Sequence, residues 1–190
     1  MATMLIYLVL VFTVFRLLTD FVCLYNYEFG LSLCKIVRSS VILLLPLFDH
    51  ITKCTRHRLS VYIKESFPYS LLQLDTSIQY LAIKLLDRIP CVIVYNPPRH
   101  QQDFIQNMKD TIIPFMSESC LVMSDFTIQN TETRLQDVMT EHNFIQLINS
   151  ATHRDGGIID HIYIRGLHSV QSGVLPVYYS EHAAIYSILQ

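Results

Sequence analysis

The sequence CVIVYNPP occupies residues 91–98. Its first five side chains are apolar or aromatic and rich in β-branched types, a composition that favours a strand buried on both faces. The two prolines that follow Asn96 end such a strand, because proline offers no backbone N–H to a sheet. We therefore predict a central strand at residues 91–95 and a loop directly after it.

Further strands are predicted on both sides of this one. Residues 59–64 alternate apolar and polar side chains, which is the period of a half-buried strand. Short apolar runs predict the other strands, which we place at residues 70–74, 78–86, 120–123, 144–148, 158–164, 174–179 and 183–189.

Two segments have the period of a helix instead. Phe104, Met108, Ile112 and Phe115 fall on one stripe of a helix, so residues 101–117 are predicted to be helical. Residues 131–142 predict a second helix in the same way. Because strands and helices interleave, the sequence predicts an α/β fold, a sandwich in which helices cover the sheets.

The composition narrows the class of protein. Hydrophobic residues make up 51% and charged residues 16% of the chain, which excludes a disordered protein. A net charge of −2 excludes a strongly basic nucleic-acid coat, but it leaves nucleic acid open as a substrate. The five cysteines form no CxxC pair, so the sequence indicates neither a disulfide framework nor a zinc site.

The chain changes character near residue 55. Residues 1–55 are poor in charge and open with the uncharged run 4–15, which is too short to span a membrane unless Arg16 and Asp20 are included. Three interpretations stay open: a signal anchor, a buried hydrophobic extension of the fold, or a non-native extension ahead of the domain. We expect residues 4–24 to be helical and poorly integrated, with membrane contact if they form an anchor.

Several ionisable residues fall where a predicted strand ends. Asp125 follows the strand at 120–123, and Glu181 and His182 precede the last strand. Carboxylates that meet at one edge of a sheet suit a divalent metal and a phosphate substrate, because Mg²⁺ prefers hard oxygen ligands. Each feature also has a simpler interpretation, since an aspartate often forms a turn and an acid–histidine pair often lies on the surface.

The pair Asp160 and His161 lies within an isoleucine-rich strand. Neighbouring residues of a strand point to opposite faces, so one of the two faces inward. A buried charge needs a partner. His182, two elements later in the chain, is the expected partner.

Taken together, six stretches resemble the endonuclease/exonuclease/phosphatase superfamily, especially the endonuclease domains of Helitrons and non-LTR retrotransposons. They are RHRLSVYIK (56–64), YLAIKL (80–85), VIVYNPP (92–98), VMSDFT (122–127), IDHIY (159–163) and YSEH (179–182). The resemblance covers residues 56–190, in the family's order. It implies an α/β fold, a β-sandwich flanked by helices, that is truncated at its start and preceded by the hydrophobic segment 1–55.

The resemblance also implies roles for individual side chains. Asp125 would position or deprotonate the attacking water. Asp160 would orient His182, which would contact the scissile phosphate, and Tyr95 would donate a hydrogen bond to that phosphate. If the resemblance holds, Asp125, Asp160 and His182 converge at one edge of the sheets with Tyr95 beside them.

The chain departs from the family pattern at several places. Glu181, expected near the metal, replaces an aspartate, and the substrate-binding positions Asn96 and Thr127 replace an arginine and an asparagine. The family's early asparagine and metal-binding glutamate have no match in residues 1–55. These departures predict little or no turnover.

Two functions therefore stay open. The first is a Mg²⁺-dependent phosphodiester hydrolase of DNA endonuclease type and transposon origin, with Mn²⁺ as an alternative metal. The second is a non-catalytic remnant that serves as an interaction or membrane-attached fragment. The resemblance implies a nuclear or cytoplasmic protein, and no protein partner is predicted.

Overall fold

A computed structural model describes ten backbone ranges of the chain. They are residues 6–11, 20–26, 48–53, 59–64, 68–74, 78–96, 104–116, 118–126, 132–177 and 180–189. Side chains are described within the narrower ranges 61, 63, 68–74, 78–95, 104–116, 118–126, 134–177 and 180–189.

Twelve strands and two helical segments lie in these ranges. The strands are β1 (Ile6–Val11), β2 (Asp20–Asn26), β3 (Phe48–Lys53), β4 (Leu59–Lys64), β5 (Tyr69–Leu72), β6 (Gln79–Leu85), β7 (Ile89–Asn96), β8 (Cys120–Phe126), β9 (Ile145–Gln146), β10 (Asp160–Arg165), β11 (Ser169–Leu175) and β12 (Ala184–Leu189). The helical segments are α1 (Phe104–Phe115) and α2 (Glu132–Glu141).

The described strands form two six-stranded sheets. The first has the order β11-β12-β1-β2-β4-β3 and the second has the order β5-β6-β7-β8-β10-β9. The pairs β2–β4 and β7–β8 are parallel, and the other pairs are antiparallel. The predicted strand at 91–95 lies inside β7, between β6 and β8, so its central position is confirmed.

Two apolar layers enclose the second sheet. Along β7, Cys91 and Ile93 join the core shared with β4 and β12 of the first sheet, whereas Val92 and Val94 join the core beneath α1 and α2. Because successive side chains of a strand point to opposite faces, a strand buried on both sides must be apolar throughout. We call the side toward the first sheet the inner face and the other side the helix face.

The first helix packs through three of the four residues of its predicted stripe. Phe104, Met108 and Ile112 are all buried in the helix-face core, whereas Phe115 is 39% exposed. The turn Met108–Ile112 is a π-helix, in which Ile113 N–H donates to Met108 O. The helix ends at Met116, whose backbone is extended.

The expectation of a helix over residues 4–24 is wrong. Residues 6–11 and 20–26 form β1 and β2, and these strands pair with β12 and β4 in the first sheet. A continuous apolar run fits a buried strand as well as a helix, and its partner β12 lies at the other end of the chain. The expected membrane contact of residues 4–24 stays a prediction; among the described residues, no helix has the length and apolar character needed to cross a bilayer.

The strand predicted at 174–179 is also displaced. The observed strand β11 runs from Ser169 to Leu175 and carries a register irregularity between Ser169 and Gln171. In its first half only Val170 is apolar, and this side chain is 52% exposed at the edge of the first sheet, so an apolar run could not predict the strand.

The packing of α1 gives a first prediction. Met108→Ala should lower the free energy of unfolding by about 2–5 kcal/mol, because the side chain is fully buried and leaves a cavity. Urea denaturation measures this change. Gln106→Ala, on the exposed side of the same helix, is the control and should change stability by less than about 0.5 kcal/mol. Equal effects of the two substitutions would show that the stripe does not face the core.

Candidate functional site

Strand register places three predicted site residues in a row across the second sheet. Tyr95 of β7 lies opposite Asp125 of β8, and Asp125 lies opposite Asp160 of β10. Each of the three is two residues from a side chain of the inner-face core, so each belongs to that face. Those core side chains are Ile93, Met123 and Ile162.

The side chain of His182 closes this row from the chain segment before β12. Its Nδ1–H donates to the carboxylate of Asp160, at 3.2 Å from Oδ1 and 3.1 Å from Oδ2. Asp125, Asp160 and His182 are all buried, and one ligand atom from each lies within 4.8 Å of the others. Because Nδ1–H is committed to Asp160, any proton exchange with a substrate falls to Nε2 of His182.

Sequence reasoning missed Thr152, which connects the strand that carries Asp160 to the segment that carries His182. Its Oγ1 accepts hydrogen bonds from the backbone N–H groups of Ile159 and Asp160, both at 3.0 Å. Its carbonyl accepts from Ala183 N–H at 2.7 Å, next to His182. The only signal in the sequence was the polar loop 152–157, which does not identify the residue that anchors the site.

His153 is a second residue that the sequence did not single out. Its backbone forms an isolated antiparallel bridge with His182, and the two rings meet edge to face with centroids 5.2 Å apart. The loop therefore holds Asp160 through Thr152 and contacts His182 through His153.

Burial controls the charge of Asp160. Removal from water raises the pKa of the Asp160 carboxyl above its usual range, and hydrogen bonds from His182 and Thr152 lower it in part. The ionised form of this fully buried group therefore depends on those two donors.

His161, the neighbour of Asp160, belongs to the helix face. Its Nδ1 accepts from Gln146 Nε2 at 2.8 Å, its Nε2–H donates to Ile158 O at 3.0 Å, and its ring stacks on Tyr163. Burial lowers the pKa of His161 to about 4, so the ring is neutral at pH 7. Both residues of the pair are thus buried, and only Asp160 reaches the site.

The other predicted site residues either lie apart from Asp125, Asp160 and His182 or have side chains outside the described ranges. Glu181 is exposed, and its carboxylate lies 3.6 Å from the guanidinium of Arg154 instead of joining the group around Asp125. Asn96 ends β7, with its side chain outside the described residues, and Thr127 lies outside them altogether. The roles given to these three positions stay predictions.

Asp125, Asp160 and His182 supply some, but not all, of the ligands that a hard divalent cation needs. Two carboxylates and one imidazole nitrogen lie close together, and oxygen ligands are what Mg²⁺ and Ca²⁺ require. Asp160 is committed to His182, so Asp125 is the carboxylate suited to a cation. Such a cation would need further oxygen ligands from water or substrate.

Comparison with known proteins adds one result on the fold. No family model and no curated protein matches the chain. An endonuclease/exonuclease/phosphatase family protein from Bacteroides thetaiotaomicron has a TM-score of 0.53 and 11% identity, over 76% of this chain and 73% of that one. The inositol polyphosphate 5-phosphatase domain of SPsynaptojanin, in complex with inositol (1,4)-bisphosphate and calcium, has a TM-score of 0.47 and 14% identity, over 75% and 62%.

The first of these likenesses shows that the chain has the fold of that Bacteroides protein. It therefore confirms the predicted fold class, an α/β arrangement of two sheets flanked by helices. The chain spans less than two thirds of the phosphatase domain that it matches.

The position of Thr152 gives a second prediction. Thr152→Val keeps the size of the side chain but leaves two backbone N–H groups without their acceptor, one of them in the buried strand β10. We expect it to lower the free energy of unfolding by roughly 2–4 kcal/mol. Thr152→Ser keeps the hydroxyl and should cost less than about 1 kcal/mol. If chemical denaturation gave the valine variant wild-type stability, the anchoring role of Thr152 would be wrong.

Proposed function

We propose that the protein is a metal-assisted hydrolase of phosphate esters, with DNA as its substrate and Mg²⁺, or alternatively Mn²⁺, as its metal. The observation that carries the proposal is the convergence of Asp125, Asp160 and His182 on a fold of the endonuclease/exonuclease/phosphatase type. These residues are far apart in sequence, and a buried acid–acid–histidine cluster needs a reason to persist because it is costly to fold. Perturbed ionisable groups of this kind are typical of functional sites.

Each group has a chemical task that suits its surroundings. Asp125 is a carboxylate that can orient a water molecule and accept its proton as the oxygen attacks phosphorus. His182 presents Nε2 to the phosphate oxygens, while Asp160 fixes the ring through Nδ1–H. Tyr95, next to Asp125 in register, supplies a phenolic O–H for the same phosphate.

A divalent cation, when bound, supplies positive charge to the phosphate oxygens and lowers the barrier to attack. One carboxylate oxygen of Asp125 would hold it, together with water and substrate oxygens, and the other oxygen would remain available to the attacking water. Because Glu181 is paired with Arg154, the described residues offer few protein ligands, and we expect slow turnover. The origin of the domain in a transposable element is the part of the proposal supported only by the sequence resemblance.

A plasmid-nicking assay tests the proposal. The purified protein with Mg²⁺ should nick supercoiled DNA slowly, and His182→Ala should reduce the rate at least about 100-fold, because positioned acid–base groups contribute that much. Glu141→Gln, in an exposed ion pair with Lys109 on the far side of the second sheet, is the control and should leave the rate unchanged.

Metal removal completes that test. Chelation should abolish nicking, and added Mg²⁺ or Mn²⁺ should restore it. Nicking that persists in chelator, or in His182→Ala, would contradict the proposed mechanism. No nicking by the wild type under any metal would favour the non-catalytic remnant.

A further inference from the structure

A cavity lies directly beside His182. Its volume is about 330 Å³. Its lining comes from the segments 151–154 and 180–183, which are joined to each other by backbone hydrogen bonds, and from Pro176 and Val177. The lining thus includes His182, the side chain that we assign to the scissile phosphate.

One lining residue carries a permanent positive charge. It is Arg154, whose planar guanidinium matches the oxygens of a phosphate group. Its side chain is largely exposed at 67%, so the guanidinium can reach a ligand without leaving a buried partner unpaired. The ring of His153, the residue before Arg154, contacts the ring of His182 edge to face.

The present partner of Arg154 is Glu181. The backbone N–H of Arg154 donates to Glu181 O at 2.9 Å, which holds the two residues side by side in the cavity lining. Their side chains approach only to 3.6 Å, and both are more than half exposed. An exposed pair at this distance is a weak interaction that a phosphate group can displace.

We propose that this cavity binds a second phosphate group of the substrate, next to the scissile one, and that Arg154 is the residue that selects for it. The inference rests on the proposed function, because the scissile phosphate is assigned to His182. Glu181 then acts as the internal competitor for Arg154 and not as a metal ligand. This assignment explains why Glu181 lies away from Asp125 and Asp160.

Binding without hydrolysis tests the proposal. The two ligands are the thymidine dinucleotide TpT, which has one phosphate, and pTpT, which adds a 5′-phosphate. Each competes in chelator against a short fluorescent single-stranded oligonucleotide, and anisotropy reports binding. The wild type should bind pTpT about tenfold more tightly than TpT, since a charged hydrogen-bonded contact contributes that much. Inorganic phosphate, added as a third competitor, shows whether the site takes a phosphate that is not attached to a nucleotide.

Substitutions assign the preference to named side chains. Arg154→Gln should remove the preference for pTpT, while Arg154→Lys should keep part of it. Arg134→Gln, an exposed arginine on α2, is the matched control and should keep all of it. Glu181→Gln should tighten pTpT binding about two- to fivefold, which is the strength of an exposed ion pair. Glu141→Gln should not change it.

Two results would overturn the proposal. The first is a preference for pTpT that survives Arg154→Gln. The second is weaker pTpT binding in Glu181→Gln. Because these measurements use no metal and no hydrolysis, they are independent of the nicking assay. A protein that fails to nick DNA can still show the Arg154-dependent preference, and an active nuclease can lack it.

Discussion

The site depends on the hydrogen bond between a fully buried carboxylate, Asp160, and the imidazole of His182. An isolated carboxylate in a protein interior costs several kcal/mol, so Asp160 is tolerable there only while its donors are in place. That requirement restricts the structure around it. The register of β8 and β10 must set Asp160 opposite Asp125, and the loop through Thr152 must return beside His182. A polar contact of this kind therefore fixes the relative positions of three chain segments.

Much of the second sheet was predictable because the patterns that indicate its strands and helices lie within short stretches of sequence. The β-branched run in β7 and the stripe Phe104, Met108 and Ile112 each report burial from neighbouring residues alone. In the first sheet, β4 and β12 were predictable from local patterns as well, but β1 was not. Residues 6–11 are apolar throughout, which does not distinguish a strand from a helix, and their partner β12 is the last described strand of the chain. The first half of β11 lies on an exposed edge and has one apolar residue, Val170, so it contains no apolar run that would predict a strand.

The site likewise contains residues that the sequence identified and residues that it did not. Asp125, Asp160 and His182 were identifiable because each interrupts or borders an apolar strand, where a charged residue needs an explanation. Thr152 was not, since a threonine in a polar loop looks like any other loop residue until its acceptor role is seen. The ion pair of Glu181 was also hidden, because nothing in the sequence motif indicates that its carboxylate lies 3.6 Å from the guanidinium of Arg154.

A double-mutant cycle between Asp160 and His182 measures the central contact most directly. The free energies of unfolding of the wild type, Asp160→Ala, His182→Ala and the double variant give the coupling between the two side chains. Buried residues in one hydrogen-bond network couple by about 0.5–3 kcal/mol, and the 3.1 Å contact predicts a favourable coupling above roughly 1 kcal/mol. Additive effects, within about 0.5 kcal/mol, would show that Asp160 does not hold His182 and would contradict the site described here.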